Sequence, residues 1–526
     1  MKILLSVLLV ILICTQIIGG YRILGVAPLQ SKSHWILMEA LMKNLAIRGH
    51  QVDVITQFSL KKPIPNYTEI NIGGIVPELT NNLNATGLED YTSLTTIPRT
   101  LSLLGSKTCE LLGHPKLQEL IKNSQQNPPY DVIVVSLFLS PCYLAFGRYF
   151  KVPMIGLVTT SFYDWLNHLS GNQANPAYIP SYFSTFEQRM NFRERLTNFL
   201  LTNMYTMQMS YYSDAQVQHV KTHFGMDVPS MDDLHSDIAL YLVNSHHSLN
   251  EIRPMNPGII EVSGLHLKDD DDPLPLEMQK WLDESTHGCI YFTFGSMVRI
   301  ETFPEELMKQ IYASFEKIAP VRVLMKVAKK EDLLPGLPEN VMTNPWFPQI
   351  SILKHKNIRA FITHGGLMGT MEAVYHGVPL IGISLFSDQH RNMKNFVNKK
   401  VAISLQSIND ITEERLSSAL NKILKDPSYR NNMQRLQKLF LDRPMSPLNT
   451  SIYWVEYVAK YGNVLQSPAL QLYWWQRNLL DVYAFIFVVI ATVLYITLYS
   501  LRKLKNFLFG SRASKNSAAA RSKKDK

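Results

Sequence analysis

The chain has 526 residues, of which 46% are hydrophobic and 18% charged, with a formal net charge of +9. That length exceeds one ordinary hydrophobic core and sets an expectation of two or three domains. The charge is misleading: the tail 502–526 holds nine Lys or Arg against one Asp, and Lys2 adds another, so residues 21–501 are neutral as a whole and give no reason to expect nucleic-acid binding.

Residues 1–20 open with Lys2 before an apolar run and close on Gly19 and Gly20, the pattern of a secretory signal peptide cut near Gly20. An uncleaved anchor is the alternative. Residues 21–56 read as a βαβ unit, with a strand over 21–27, a helix from Ser33-His34 to Ile47 and a strand over 52–55. The helix buries Ile36, Leu37, Ala40, Leu41 and Leu45, and Gly49 stops it. A further buried strand covers 131–137, entered from Asn127-Pro128-Pro129. Residues 182–212 form a long helical, Met- and aromatic-rich stretch that reads as packing or membrane-facing surface.

The run Lys268-Asp269-Asp270-Asp271-Asp272-Pro273 reads as a linker, taken as 268–280. A second block of short strands then covers 289–294, 321–327, 360–363 and 380–383. The expected fold is α/β, with two Rossmann-like domains, 21–267 and 281–440, facing a cleft. Residues 441–478 are helical in pattern (Ile452, Val455, Val458) and lead to 482–501, which carry no charge and would form a helix about 30 Å long at ~1.5 Å per residue. Tyr473, Trp474 and Trp475 precede this span, and Arg502, Lys503 and Lys505 follow it. The positive-inside rule places that end in the cytosol, giving a single-pass type I protein with its body on the lumenal side.

The tail 502–526 is the one segment expected to lack fixed structure. Its Lys523 and Lys524 look like a dilysine retrieval signal of the endoplasmic reticulum. Three glycosylation sequons, at Asn66, Asn84 and Asn449, fall on the lumenal side. Cys14 leaves with the signal peptide. Cys109, Cys142 and Cys289 read as three separate thiols with neither a disulfide framework nor zinc spacing, and Cys289 as a small core residue.

The strongest chemical signal runs over 346–389, WFPQISILKHKNIRAFITHGGLMGTMEAVYHGVPLIGISLFSDQ. It is a strand, then His364, then Gly365-Gly366, then a helix. The glycines permit a tight turn and a close approach of backbone to ligand. The helix start directs free N–H groups at the same spot, an anion site suited to a diphosphate. His34, at the carboxyl end of the first strand and the start of a helix, is a candidate base kept neutral by the helix dipole.

The 346–389 segment resembles the signature of the UDP-glycosyltransferases, the superfamily that includes the UDP-glucuronosyltransferases, and the run Asp388-Gln389-His390-Arg391-Asn392 looks closest to insect members. The resemblance extends from about residue 21 to 505. It implies a GT-B enzyme that transfers a hexose, glucose more than glucuronate, from a UDP-sugar to a small lipophilic acceptor, with inversion, in conjugation of the detoxification type. It implies no cofactor and no metal. The DxD-like reading of the aspartates 269–272 is set aside because that run precedes Pro273 in a linker and belongs to enzymes of another fold. Membrane attachment comes through the one C-terminal helix, and association with itself or with homologues is left open.

By the same resemblance Trp346 stacks on uracil, Gln349 and nearby backbone select the base, and Glu372 binds the ribose hydroxyls. Ser296, His364 and Gly366 face the phosphates, Asp388 and Gln389 read the sugar hydroxyls, and His34 is the catalytic base. Two departures stand out. The acid that usually supports the His is replaced by Ser136, Asp131 lying at the wrong end of the strand. Ser384 and Ser387 stand where Pro and Gly are usual. The first departure keeps alive a rival reading, a non-catalytic binder or a regulatory partner of active homologues.

Overall fold

The computed structural model describes residues 20–76, 79–88, 96–123, 129–267 and 273–522. The signal-peptide stretch 1–19, the acidic run 269–272, Asn127-Pro128 and the Lys523-Lys524 pair lie outside the described residues. The chain divides into two compact units, Met1–Ser467 and Pro468–Lys526.

The first unit contains two parallel sheets. Strand β1 (Arg22–Ala27) feeds helix α1 (Lys32–Ile47), which returns to β2 (Gln51–Thr56). Then come β3 (Tyr67–Asn71), β4 (Val132–Ser136), β5 (Met154–Val158), β6 (Ile238–Val243) and β7 (Ile259–Glu261), in the spatial order β3-β2-β1-β4-β5-β6-β7. Strands β4, β5 and β6 are buried along their whole length, as befits a parallel sheet covered on both faces. Trp35, Leu37, Met38, Leu41 and Leu45 carry α1 into that core.

The second sheet is built from β8 (Cys289–Thr293), β9 (Arg322–Lys326), β10 (Val341–Asn344), β11 (Ile358–Thr363), β12 (Leu380–Gly382) and β13 (Ala402–Ser404), in the order β10-β9-β8-β11-β12-β13. The two orders are alike. In each the direction of winding reverses once, between β1 and β4 and between β8 and β11, and such reversals leave ligand crevices at the carboxyl ends of the strands. The α/β fold with two Rossmann-like sheets is the one expected from the sequence.

Three local expectations change, at residues 182–191, at the cysteines and in the C-terminal tail. Residues 182–191 are not helical: α2 (Phe192–Ser213) begins where Asn191 accepts from the Glu194 N–H at 3.1 Å and the Glu194 carboxylate accepts from the Asn191 N–H at 2.8 Å. Cys109 and Cys142 form a disulfide, Cα to Cα 6.2 Å; they are 33 residues apart, and only the folded chain brings them together. Cys289 is buried and free. After α3 (Leu367–Tyr375) and α4 (Gln389–Asn398) the chain enters α5 (Pro447–Tyr461), which packs back onto the first sheet. Ile452, Val455 and Val458 join the α1 core there, and Glu456 pairs with Arg48 at 2.6 Å and His50 at 3.0 Å.

In the second unit α6 (Leu480–Ser522) runs as one helix of 43 residues. Its part Leu480–Phe509 is long and apolar enough to cross a membrane and fits an anchor. The tail to Ser522 is helical, not irregular.

Candidate active site

One cavity of about 800 Å³ opens at the carboxyl ends of both sheets. His34 and all eight donor-side residues singled out in the sequence, Ser296, Trp346, Gln349, His364, Gly366, Glu372, Asp388 and Gln389, line it.

His34 lies in the first turn of α1, where backbone N–H groups have no helical partner and the positive end of the helix disfavours imidazolium. Its Nδ1 is 2.5 Å from the Thr159 hydroxyl, and its ring packs on Phe138 with centroids 4.1 Å apart. Loss of water lowers its pKa to about 4, so the ring is neutral at neutral pH. Among the described residues no carboxylate lies within ion-pair distance of it. Ser136 lines the same cavity from the end of β4, but the hydroxyl that meets the ring is that of Thr159, just past β5. Asp131 sits at the opposite end of β4 and accepts from the Arg22 N–H at 2.7 Å.

On the second sheet, His364 stands between two close glycines. A Cβ on Gly366 would come within 2.5 Å of its ring, and one on Gly295, whose φ is +78°, within 2.8 Å. Its Nδ1 is buried without a partner, and burial, helped by the charge of Lys326, lowers its pKa to about 4. Glu372, on α3, is buried; His266 Nε2 donates to one carboxylate oxygen at 3.2 Å and Gln349 Nε2 to the other at 2.5 Å. Trp346 is 49% exposed at the cavity wall.

Asp388 opens α4 and accepts from Asn392 Nδ2 at 2.8 Å, and burial raises its pKa. The Gln389 side-chain oxygen Oε1 accepts from the N–H groups of Leu385 and Phe386 at 2.8 and 3.1 Å, which shapes the loop and commits that oxygen. Ser387 adopts φ 58°, the left-handed conformation that the usual glycine takes freely and that costs another residue roughly 1 kcal/mol.

The sequence reading missed the other half of the wall. Tyr163, Trp165, Tyr182, Phe183 and Met209 make an apolar, aromatic surface, with the Tyr163 and Trp165 rings stacked at 4.4 Å. His235, its Nδ1 buried without a partner, faces the same space. Lys326 completes the second-domain side. Lys326 falls near the end of the strand that the sequence marks over 321–327, whereas Thr159 follows β5, which it does not mark, and the aromatics sit largely on irregular segments without periodicity. Among the described residues no cluster of three His, Cys, Asp or Glu is arranged to hold a metal ion.

Two parallel sheets around such a cleft define the GT-B glycosyltransferase class, and solved structures share the fold. Arabidopsis thaliana UGT89C1 complexed with UDP-L-rhamnose aligns with a TM-score of 0.54 at 16% identity, covering 84% of this chain and 100% of that one. Medicago truncatula UGT71G1 complexed with UDP-glucose aligns with a TM-score of 0.53 at 16% identity, covering 84% and 98%. Residues 23–515 match the family described as UDP-glucoronosyl and UDP-glucosyl transferase, and the chain belongs to that family. It is 36% identical to UDP-glucosyltransferase 2 of Dactylopius coccus, over 94% of this chain and 95% of that one. It is 28% identical to human UDP-glucuronosyltransferase 2B15, over 90% and 92%. The protein is therefore a UDP-sugar-dependent glycosyltransferase.

The half-buried His364 ring has a stability signature. Its folded pKa, about 4, lies below the ordinary value of 6.5, so on acidification the unfolded chain takes up the proton first. The stability it contributes is complete above pH 6.5 and is lost between there and about pH 4. Between about pH 7.5 and 5 the thermal midpoint of the wild type should therefore fall further than that of His364→Gln, read by differential scanning calorimetry. Parallel curves would contradict the assignment.

Proposed function

We propose that this enzyme transfers a hexose, glucose first among candidates, from its UDP-sugar to a hydroxyl of a small lipophilic acceptor, inverting the anomeric centre without a metal ion, in conjugation of the detoxification type. One observation carries the reading: a neutral His34 shares a single cavity with the eight donor-side residues, and the wall beside it is apolar and aromatic. Glucose is favoured because the Dactylopius coccus relative is named a glucosyltransferase.

Trp346 stacks on uracil and Gln349 helps select the base. Glu372 exchanges its present partners for the ribose hydroxyls. Ser296, His364 and the amides after Gly366 hold the diphosphate, and Asp388 and Gln389 read the sugar. His34 Nδ1 is hydrogen-bonded to the Thr159 hydroxyl, and in the tautomer that carries its proton on Nδ1 the Nε2 atom is left to take the acceptor proton. The acceptor oxygen then bonds to C1 as the bond from C1 to the phosphate oxygen breaks, and UDP departs with that electron pair. A hydroxyl orients the ring but cannot neutralise imidazolium as a carboxylate does, so acceptors with an acidic proton, such as phenols, suit the site best.

The donor half is tested by calorimetry. Trp346→Ala should weaken UDP binding by about 1–3 kcal/mol, the range for base–aromatic stacking, and Glu372→Ala should weaken it as well. Unchanged affinity in both folded variants would sink the assignment.

The acceptor half is tested by kinetics. His34→Ala should lower transfer to alcohols by about 10²–10⁴-fold and leave UDP affinity intact. Ser136→Asp should raise turnover on alcohols more than on phenols. Wild-type turnover that survives His34→Ala would overturn the base, and a wild type with no turnover at all would favour the binder.

We further place the body in the lumen of the endoplasmic reticulum, with α6 as a type I anchor. The support is the apolar helix followed by Arg502, Lys503 and Lys505. Protease added to sealed microsomes should trim a C-terminal tag and spare the rest. Complete digestion of the body would reverse the orientation.

A further inference from the structure

Lys326 ends β9, is 5% exposed and yet reaches the wall of the cleft. Strand β9 lies beside β8, which runs into Gly295-Ser296, and β8 lies beside β11, which runs into His364. Three neighbouring strands thus deliver Lys326, Ser296 and His364 to one end of the cavity, and the lysine's charge is felt at the His364 ring.

The surroundings of the ammonium are unusual. Its Nζ donates to Asn81 Oδ1 at 2.6 Å, a neutral partner. Among the described residues no carboxylate lies within ion-pair distance of it. The acid that acts on it from further away, Glu301, is already paired with Arg299 at 3.1 Å and accepts from the N–H groups of Ala328 and Lys329. A buried cation without an anion is costly, and burial lowers this amine's pKa to about 8. A Met or Leu would fill the same space without that cost.

The partner Asn81 belongs to a first-domain segment that reaches the second domain. Its N–H donates to the Ser296 carbonyl at 2.8 Å, and the Leu83 N–H donates to that of Met297 at 3.0 Å. The Arg299 N–H donates back to Leu83 at 3.0 Å, and Leu83 forms a β-bridge with Val298.

We propose that Lys326 is the cationic ligand of the donor's diphosphate, pairing through Nζ with its non-bridging oxygens and taking up the charge that builds there as the sugar leaves, while Asn81 holds the amine in line from the other domain. This rests on the UDP-sugar reading of the cleft. The charge balance argues for it. A diphosphate carries more than one negative charge, whereas the start of α3 offers only about half a positive charge. His364 is neutral at pH 7, Ser296 carries no charge, and Lys326 is the one full positive charge on the second-domain wall of the cavity among the described residues.

The test is calorimetry on the detergent-solubilised full chain with UDP and, separately, with uridine. Lys326→Met should bind UDP roughly 10- to 100-fold more weakly, the worth of one charge-assisted hydrogen bond, and bind uridine as the wild type does. Lys326→Arg should recover most of the UDP affinity. Equal loss of UDP and uridine in Lys326→Met would reduce the lysine to a structural strap, and undiminished UDP binding would remove it from the site; either overturns the proposal while leaving the UDP reading in place. If Lys326→Met does not fold, Lys326→Arg and Lys326→Gln decide: Arg must retain the preference for UDP over uridine and Gln must lose it. A wild type that binds neither compound would overturn the underlying reading itself.

Discussion

A histidine can take a proton at neutral pH only if it is uncharged and its ring cannot turn away from the acceptor. Both conditions rest here on where His34 stands. The start of α1 and the loss of water keep the ring neutral, while Phe138 and the Thr159 hydroxyl fix its plane. Among the described residues no carboxylate stands within ion-pair distance to stabilise the imidazolium that the proposed reaction would form. The proposed reaction therefore leans on the other half of the cleft, where the departing diphosphate has to be stabilised strongly enough to make up for a modest base.

That dependence makes the shared winding of the two sheets functionally decisive. Each sheet reverses its order beside its central strand, so each offers a crevice at its carboxyl edge, and the two crevices open into one cavity. Residues that approach on neighbouring strand ends (Ser296, Lys326 and His364 on one side, His34, Ser136 and Thr159 on the other) need no long loops to position them. Helix α5 ties the end of the second domain to the first through Glu456, Arg48 and His50, and the segment around Leu83 ties them again at the cleft. The geometry of the cavity is thus held from two directions.

How much of this was legible in the sequence depends on whether the signal was local. His34, His364 and Gly366 sit on strand–turn–helix units whose periodicity changes within a dozen residues, and those units could be read directly. Glu372, Asp388 and Gln389 followed from their place in one continuous signature. Thr159 could not be read, because its role depends on β5 lying next to β4, a fact of sheet order that no spacing records. Cys109 and Cys142 escaped for the same reason, being paired across 33 residues by tertiary structure. The aromatics of 182–191 mimic a helical stripe in the sequence, but the Asn191 and Glu194 cap marks the true start of α2, and Tyr182 and Phe183 before it line the cleft. Lys326 lies inside the strand read over 321–327 and carries no signal of its own in the sequence; its burial beside a neutral partner is what sets it apart.

The central claim is that His34, oriented by a hydroxyl in place of a carboxylate, is the base. The substitution Thr159→Val removes that hydroxyl and keeps the shape. Steady-state kinetics of the wild type and Thr159→Val, on one alcohol acceptor and with saturating UDP-sugar, test the claim most directly. The account predicts a kcat lower by roughly tenfold, the worth of a single hydrogen bond, at unchanged UDP affinity. A Thr159→Val enzyme that turns over alcohols as fast as the wild type would contradict it.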